Sequence, residues 1–279
     1  VTIVEGSERV LAAAEPEASR IVHLAMEEEG VGILTGTRVE AVSGDEEGVE
    51  LTLSDDSAIT ADRLLVAVGR RGSAGSLGLE NAGAVVESGF VQVDGRMRAA
   101  EGMWAIGDVT GPPLLTQKAL YQGRIAIEDI LGADPDPADY TSMPVVTFTD
   151  PEVGSVGLTE DQARQQDRPL AVTTKPLEST FRGWLHRIGN TGLIKLVADV
   201  GENRLVGATV VGPNAGEILG FLHLAVAQRT PLDALVGLIY AYPTMYGGIG
   251  EALGAYGRGV VRVLDPATHP MYDDPVIEV

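Results

Sequence analysis

The 279-residue sequence contains no cysteine. That excludes a structural disulfide, a cysteine-ligated metal and a cysteine nucleophile or redox pair within these residues. Lysine is nearly as scarce. Lys118, Lys175 and Lys195 are the only three, so arginine supplies almost all of the 20 basic side chains, a bias we read as compositional rather than mechanistic. No apolar run approaches the ~20 residues that would cross a bilayer. No basic region followed by an apolar stretch marks a signal peptide. A soluble, cytoplasmic protein is the expectation.

Against the 20 basic residues stand 40 acidic ones, for a formal net charge of −20. Such a chain is repelled by phosphate backbones and anionic lipids, so neither nucleic acid nor a membrane is an expected partner. With 44% hydrophobic and 22% charged residues the composition is globular. The length suggests about two domains, or slices of more.

Val1–Glu5 is a β-branched run that reads as a buried strand already under way at the first residue. Helical spacing follows over Glu17–Glu29, with Ala18, Ile21, Val22, Leu24 and Ala25 on one face and Gly30 as its stop. Val31–Leu34 completes a β-α-β unit. A chain that opens on a central strand is expected to be a fragment. The pattern then turns to strands at Thr37–Val42, Gly48–Leu53 and Ala58–Ala61, set apart by the turn-type clusters 44–48 and 54–57. Arg63–Val68 reads as another strand, ending at Gly69, and Trp104–Ile106 as one more. Leu115–Leu131 is helical and closed by Gly132, and Asp134–Ala138 reads as a linker. Beyond it an α+β pattern is expected: strands near 144–148, 153–158, 170–175, 192–198 and 207–211, a short helix from Glu160, and helices at Glu217–Arg229 and near Gly250–Tyr256.

Glu5 falls at the carboxyl end of a parallel strand, where open α/β sheets bind ligands. An acid there either accepts from an adenosine ribose, favouring NAD over NADP, or is an ordinary surface glutamate. In Trp104-Ala-Ile-Gly-Asp108, Gly107 permits an unusual backbone angle or close ligand approach, and Asp108 can accept from ligand hydroxyls. The bland alternative is a turn aspartate. The helix beginning near Leu115–Thr116 offers the positive end of its dipole to an electron-rich ring or anion. Gly247–Gly254 mimics a phosphate-loop fingerprint, but Pro243 interrupts any preceding strand, so close helix packing is the better reading. His223 reads as core or interface, His186 as strand-edge surface, and His23 and His269 have no metal-like spacing to other ligands. No metal site is expected.

Several blocks occur in one order. They are Leu64-Leu-Val-Ala-Val-Gly-Arg70, Leu77-Gly-Leu-Glu80, Gly89-Phe-Val-Gln-Val-Asp94, Trp104-Ala-Ile-Gly-Asp-Val109, Lys118-Ala-Leu-Tyr-Gln-Gly123, 148–159, 210–216 and Tyr242-Pro-Thr-Met245. This order resembles the class I pyridine nucleotide-disulfide oxidoreductases, the flavoproteins that include dihydrolipoamide dehydrogenase and mercuric reductase. The resemblance implies α/β nucleotide-binding (FAD/NAD(P)-binding, Rossmann-like) segments followed by an α+β dimerisation domain. Residues 1–70 would be the later part of the NAD-binding domain, 71–137 the second FAD-binding segment and 138–279 the dimerisation domain of a homodimer.

Carried over by residue, the resemblance places Glu5, Val39 and Gly69 at the NAD site. Gly107, Asp108, Leu114, Leu115, Thr116 and Gln117 fall at the FAD site. The family's acid-base histidine falls at Tyr242 and its partner glutamate at Gly247; tyrosine at the histidine position is reminiscent of mercuric reductase. A phenol of pKa ~10 is a poor base at neutral pH, so a thiol substrate of the dihydrolipoamide type is not expected. Tyr242 either lines a pocket for another small-molecule electron acceptor or packs as an interface aromatic. The expected function is part of an FAD- and NAD-dependent oxidoreductase passing hydride from NADH to an acceptor. The alternative is that the 279 residues are a non-catalytic dimerisation fragment with incomplete FAD and NAD sites.

Overall fold

The computed structural model describes residues 1–45, 48–166, 168–257 and 262–264. They divide into two compact units, one formed by Val1–Arg63 with the chain from Thr141 onward, the other by Leu64–Tyr140.

The first unit opens with strand β1 (Thr2–Val4), helix α1 (Pro16–Glu28) and strand β2 (Gly32–Leu34), and β1 and β2 pair in parallel. Pro16 at the first helical position and Gly30 at φ +82° bracket α1. The strand at the start is not buried as expected: a two-stranded sheet covered on one side leaves β1 exposed or half-buried. Strands β3 (Val39–Gly44), β4 (Val49–Leu53) and β5 (Ala58–Ala61) form the anticipated antiparallel meander, with the middle strand central.

In the second unit, residues 64–68 form no strand, contrary to the sequence reading. Leu65 and Val68 are 88% and 92% exposed, and no ladder partner among the described residues supplies the hydrogen bonds a strand requires. Two short hairpins follow, β6 (Val86–Glu87) with β7 (Phe90–Val91) and β8 (Arg98–Ala100) with β9 (Met103–Trp104). Helix α2 (Thr116–Ile130) then runs to Gly132 at φ +76°.

The rest of the first unit is built on a six-stranded sheet. Its strands are β10 (Val145–Thr147), β11 (Glu152–Gly157), β12 (Leu170–Pro176), β13 (Leu193–Asp199), β14 (Arg204–Gly212) and β15 (Arg262–Leu264), in the order β10-β11-β14-β13-β12-β15 with antiparallel pairing throughout. Between them come helices α3 (Glu160–Arg164), α4 (Phe181–His186), α5 (Ala215–Ala227), α6 (Leu232–Val236) and α7 (Met245–Gly257). His186 is exposed, as read, but it ends helix α4 rather than lying on a strand edge. Thr180 caps that helix by accepting from the Gly183 N–H at 3.1 Å.

Both faces of this sheet are covered, so every residue of β13 is buried. Ile194, Leu196 and Ala198 join the core beneath α5, α6 and α7. On the opposite face Leu193 packs under Ala18 and Val22 of α1, and Val197 lies under Ala163 of α3. Lys195 lies between Leu193 and Val197 on that second face, and strand alternation aims it into the seam between α1 and α3. There its ammonium meets Glu15 at 2.9 Å, Glu17 at 2.7 Å and Glu160 at 2.8 Å. The glycines of α7 serve packing, as the sequence suggested: a Cβ on Gly248 would come within 3.0 Å of Ile194 and 3.1 Å of Thr180.

Candidate functional site

The turn after β9 begins with Gly107 at φ +79°, a conformation that favours glycine, with Ala119 of α2 only 3.2 Å from where a Cβ would sit. Its N–H donates to Gln122 Oε1 at 2.6 Å, and the Thr110 hydroxyl donates to its carbonyl at 2.8 Å. Gln122 Nε2 in turn donates to the Tyr140 hydroxyl at 2.9 Å. The buried face of the turn is therefore tied to α2, and the half-exposed Asp108 carboxylate is held at its rim. Lys118, buried one turn into α2, donates to the Gly111 carbonyl, and burial lowers the pKa of its ammonium against the opposing pull of Asp108.

Helix α2 starts after Leu115, whose side chain has no acceptor with which to cap the first-turn N–H groups. Leu114 and Leu115 are half-buried while Thr116 and Gln117 are exposed. A carboxylate and an uncapped helix start thus stand on one frame. That set fits the ribityl hydroxyls and electron-rich ring edge of a flavin.

The far end of α2 is anchored by Asp129, which accepts from Arg98 at 2.5 and 2.7 Å and from the Trp104 indole at 2.8 Å. The Arg98 bonds hold its carboxyl below the ordinary value. A depressed folded-state pKa contributes stability above the unfolded value of about 3.9 that is lost as pH falls through the folded value. Asp129→Asn is accordingly expected to lower the unfolding midpoint at neutral pH, with the gap to the parent closing in acid. Thermal melts across an acid series check it.

In the first unit, Glu5 ends β1 as anticipated. Its carboxylate accepts from the Ser7 N–H at 2.7 Å, and that backbone bond holds its pKa below the ordinary value, so it is ionised. Its carbonyl accepts from the Thr37 N–H at 3.1 Å, which brings the 37–39 segment, with the exposed Val39, to the same end of the β1–β2 pair. Gly69 belongs to the second unit, at φ +105° with open space where a Cβ would lie.

Tyr242 lies far along the chain, in a cavity of about 600 Å³ lined by Thr180, Phe181, Trp184, Pro243 and Glu251 among others. Its ring is 4.7 Å from that of Phe181, which is itself 5.9 Å from Trp184. Desolvation, then the charge of Glu251, push the phenol above its ordinary value. At Gly247, where the resemblance would place a glutamate, a Cβ would come 2.9 Å from the Ala241 carbonyl.

A family model for the pyridine nucleotide-disulphide oxidoreductases matches residues 1–123, and the model for the dimerisation domain of the same family matches residues 143–253. The chain belongs to this family. A dihydrolipoyl dehydrogenase of Thermus scotoductus is 36% identical over 272 residues, 95% of this chain and 58% of the relative. A mercuric reductase of Lysinibacillus sphaericus is 34% identical over 270 residues, 94% of this chain and 49% of the relative. The chain therefore spans about half the length of these curated relatives. Among solved structures, LpdA of Mycobacterium tuberculosis superposes with a TM-score of 0.84 at 27% identity, covering 92% of this chain and 56% of that one. The HOCl-induced flavoprotein disulfide reductase RclA of Escherichia coli gives 0.82 at 28%, covering 91% and 59%. The expected class, nucleotide-binding α/β segments followed by an α+β dimerisation domain, is the class of the family.

Missing from the sequence reading were Gln122, Lys118 as a turn anchor, and Arg70. The last directly follows Gly69, yet nothing in the spacing says that its side chain reaches a residue 38 positions on.

Proposed function

We propose that these residues belong to an oxidoreductase that passes hydride from NADH through FAD to a small-molecule acceptor, and that does not use a thiol of the dihydrolipoamide type as its substrate. The observation that carries the reading is the frame that holds the Asp108 carboxylate and the uncapped start of α2 together. FAD, when bound, supplies the hydride chemistry, and the protein supplies position and electrostatics. Asp108 accepts from the ribityl hydroxyls, while the backbone of Leu114–Gln117 sets the helix dipole against the electron-rich ring. The ionised Glu5 accepts from the adenosine ribose and repels a 2′-phosphate, which selects NAD over NADP, and Val39 lines the same dinucleotide. Tyr242 stays protonated at neutral pH and acts as a hydrogen-bond donor in its aromatic cavity rather than as a base.

Two copies are expected to associate through residues 138–279. The exposed Phe148, Leu224 and Ile239 support this, as does the family's dimerisation domain. An obligate interface of ~2,000 Å² or more is the corresponding size, with two-fold symmetry. Light scattering at micromolar concentration should return the dimer mass; a monomer would remove this part of the proposal.

A second reading applies to the 279 residues alone. They carry no cysteine pair, and their glycine fingerprint at 247–254 lies inside α7. The chain by itself is therefore expected to bind FAD and NADH weakly and not to turn over. A stoichiometric flavin absorption band after purification, or dye reduction with NADH, would overturn that.

The two sites separate by mutation. Asp108→Ala should weaken FAD binding in a fluorescence titration while leaving NADH binding alone. Glu5→Ala should do the reverse. Equal loss of FAD from both variants would show that one of the two sites is misplaced.

A further inference from the structure

We propose that Arg70 is a positioning residue that locks the two halves of the flavin cradle to each other. The identity of the ligand rests on the function proposed above; the lock itself does not. Arg70 Nη1 donates to Asp108 Oδ2 at 2.6 Å, and Nη2 donates to the Leu114 carbonyl at 2.6 Å. One planar guanidinium thus bridges the carboxylate and the residue that leads into α2.

The span it bridges is poorly restrained by its own backbone. Residues 109–113 carry Gly111 at φ +92° followed by Pro112 and Pro113, whose nitrogens donate no hydrogen bond. The remaining ties hold backbone atoms on the inner side, Gln122 at the Gly107 N–H and Lys118 at the Gly111 carbonyl. Among the described residues, Arg70 is the side chain that grips the Asp108 carboxylate itself. It engages Oδ2, which leaves Oδ1 to accept from a ligand hydroxyl.

Two features assign this contact to positioning rather than folding. Arg70 and Asp108 are both about half exposed, and ion pairs of that kind add little to stability. The fork geometry, by contrast, fixes the distance between its two acceptors, which a lysine ammonium cannot reproduce. Arg70 also directly follows Gly69 in a stretch with no ladder partner among the described residues, and the lock ties that stretch to the cradle.

Arg70→Met and Arg70→Lys, each made in this chain, test the proposal by amide hydrogen exchange and by FAD titration. In Arg70→Met the unfolding midpoint should stay near the parent's, while exchange over residues 108–119 rises about 10-fold, the combined factor expected for losing the guanidinium's two half-exposed hydrogen bonds. FAD affinity should fall by about the same factor, with Arg70→Lys intermediate, since a single ammonium keeps the charge and one acceptor. In an Asp108→Asn background, Arg70→Met should cost markedly less FAD affinity, because the group it positions is already altered. Exchange equal to the parent's, or losses that simply add in the double variant, would overturn the lock. Should FAD affinity prove indifferent to Asp108→Asn while exchange still responds to Arg70→Met, the flavin assignment fails and the lock stands.

Discussion

Lys195→Met is expected to destabilise the first unit by about 3–5 kcal/mol near neutral pH, the loss typical when one partner is removed from a buried ion cluster. Lys195 and Glu15 are each 2% exposed, and three carboxylates converge on this one ammonium. Burial alone would lower the lysine pKa, but Glu15 and Glu160 outweigh it and raise it, so it stays charged. Burial would likewise raise Glu160, yet Lys195 and Arg164 hold it below its ordinary value. Glu15 is the member that burial pushes up, against the pull of Lys195. Methionine fills a similar volume and leaves Glu15 and Glu17 without a cation, while Glu160 keeps only Arg164.

The pH dependence follows from these directions. The raised Lys195 contributes stability that is complete below its unfolded value of about 10.4 and is lost as pH rises through its folded value. In the methionine variant the unpaired carboxylates take up protons more readily, so its deficit should shrink as pH falls toward the carboxylate range of about 4. Glu15→Gln added to Lys195→Met should recover much of the loss. It removes the most deeply buried charge and retains an oxygen to accept from the Glu160 N–H, a bond of 2.7 Å in the parent. Chemical denaturation of the four variants in a cycle checks both expectations. A deficit that grew in acid would refute the assigned charges.

Leu222→Ala should cost about 2–5 kcal/mol, the range for a fully buried leucine whose surroundings cannot collapse. Leu222 is 0% exposed on the face of α5 that also carries Ile218, Leu219, Ala225 and Val226. Two residues along, Leu224 is 59% exposed on the opposite face. Leu224→Asp should therefore change the stability of one copy by no more than about 0.5 kcal/mol but lower the mass seen by light scattering if copies pair there. The two substitutions, one turn face apart, separate packing from association. Loss of folded structure in Leu224→Asp would contradict the burial pattern.

Where a periodic pattern and a turn signal agreed, the sequence was legible. Helix α1 has its apolar stripe between Pro16 and Gly30, and the β3–β5 meander is cut by 44–48 and 54–57. Elements that depend on a neighbour were misread. Residues 64–68 have the composition of a strand, but composition supplies no hydrogen-bonding partner. Helix α4 has little helical periodicity and contains Gly183, whose missing Cβ admits the Leu177 carbonyl. The same division runs through the site. Asp108 stood out because a Gly-Asp pair before a helix carries its own chemistry. Arg70 and Lys195 did not, since each acquires its role from groups tens to hundreds of residues away.

That last separation bears on how the chain is made. Glu15 and Lys195 are 180 residues apart in sequence. At a synthesis rate of about 5–20 residues per second, α1 leaves the ribosome roughly 10–40 s before the strand that receives it. During that interval the Ala18–Val22 face lacks Leu193 and Val211 to cover it, and Glu15 and Glu17 keep that part of the helix charged. Glu15 and Glu17, two of the three carboxylates that later close around Lys195, thus place charge beside that apolar face before their cation is made.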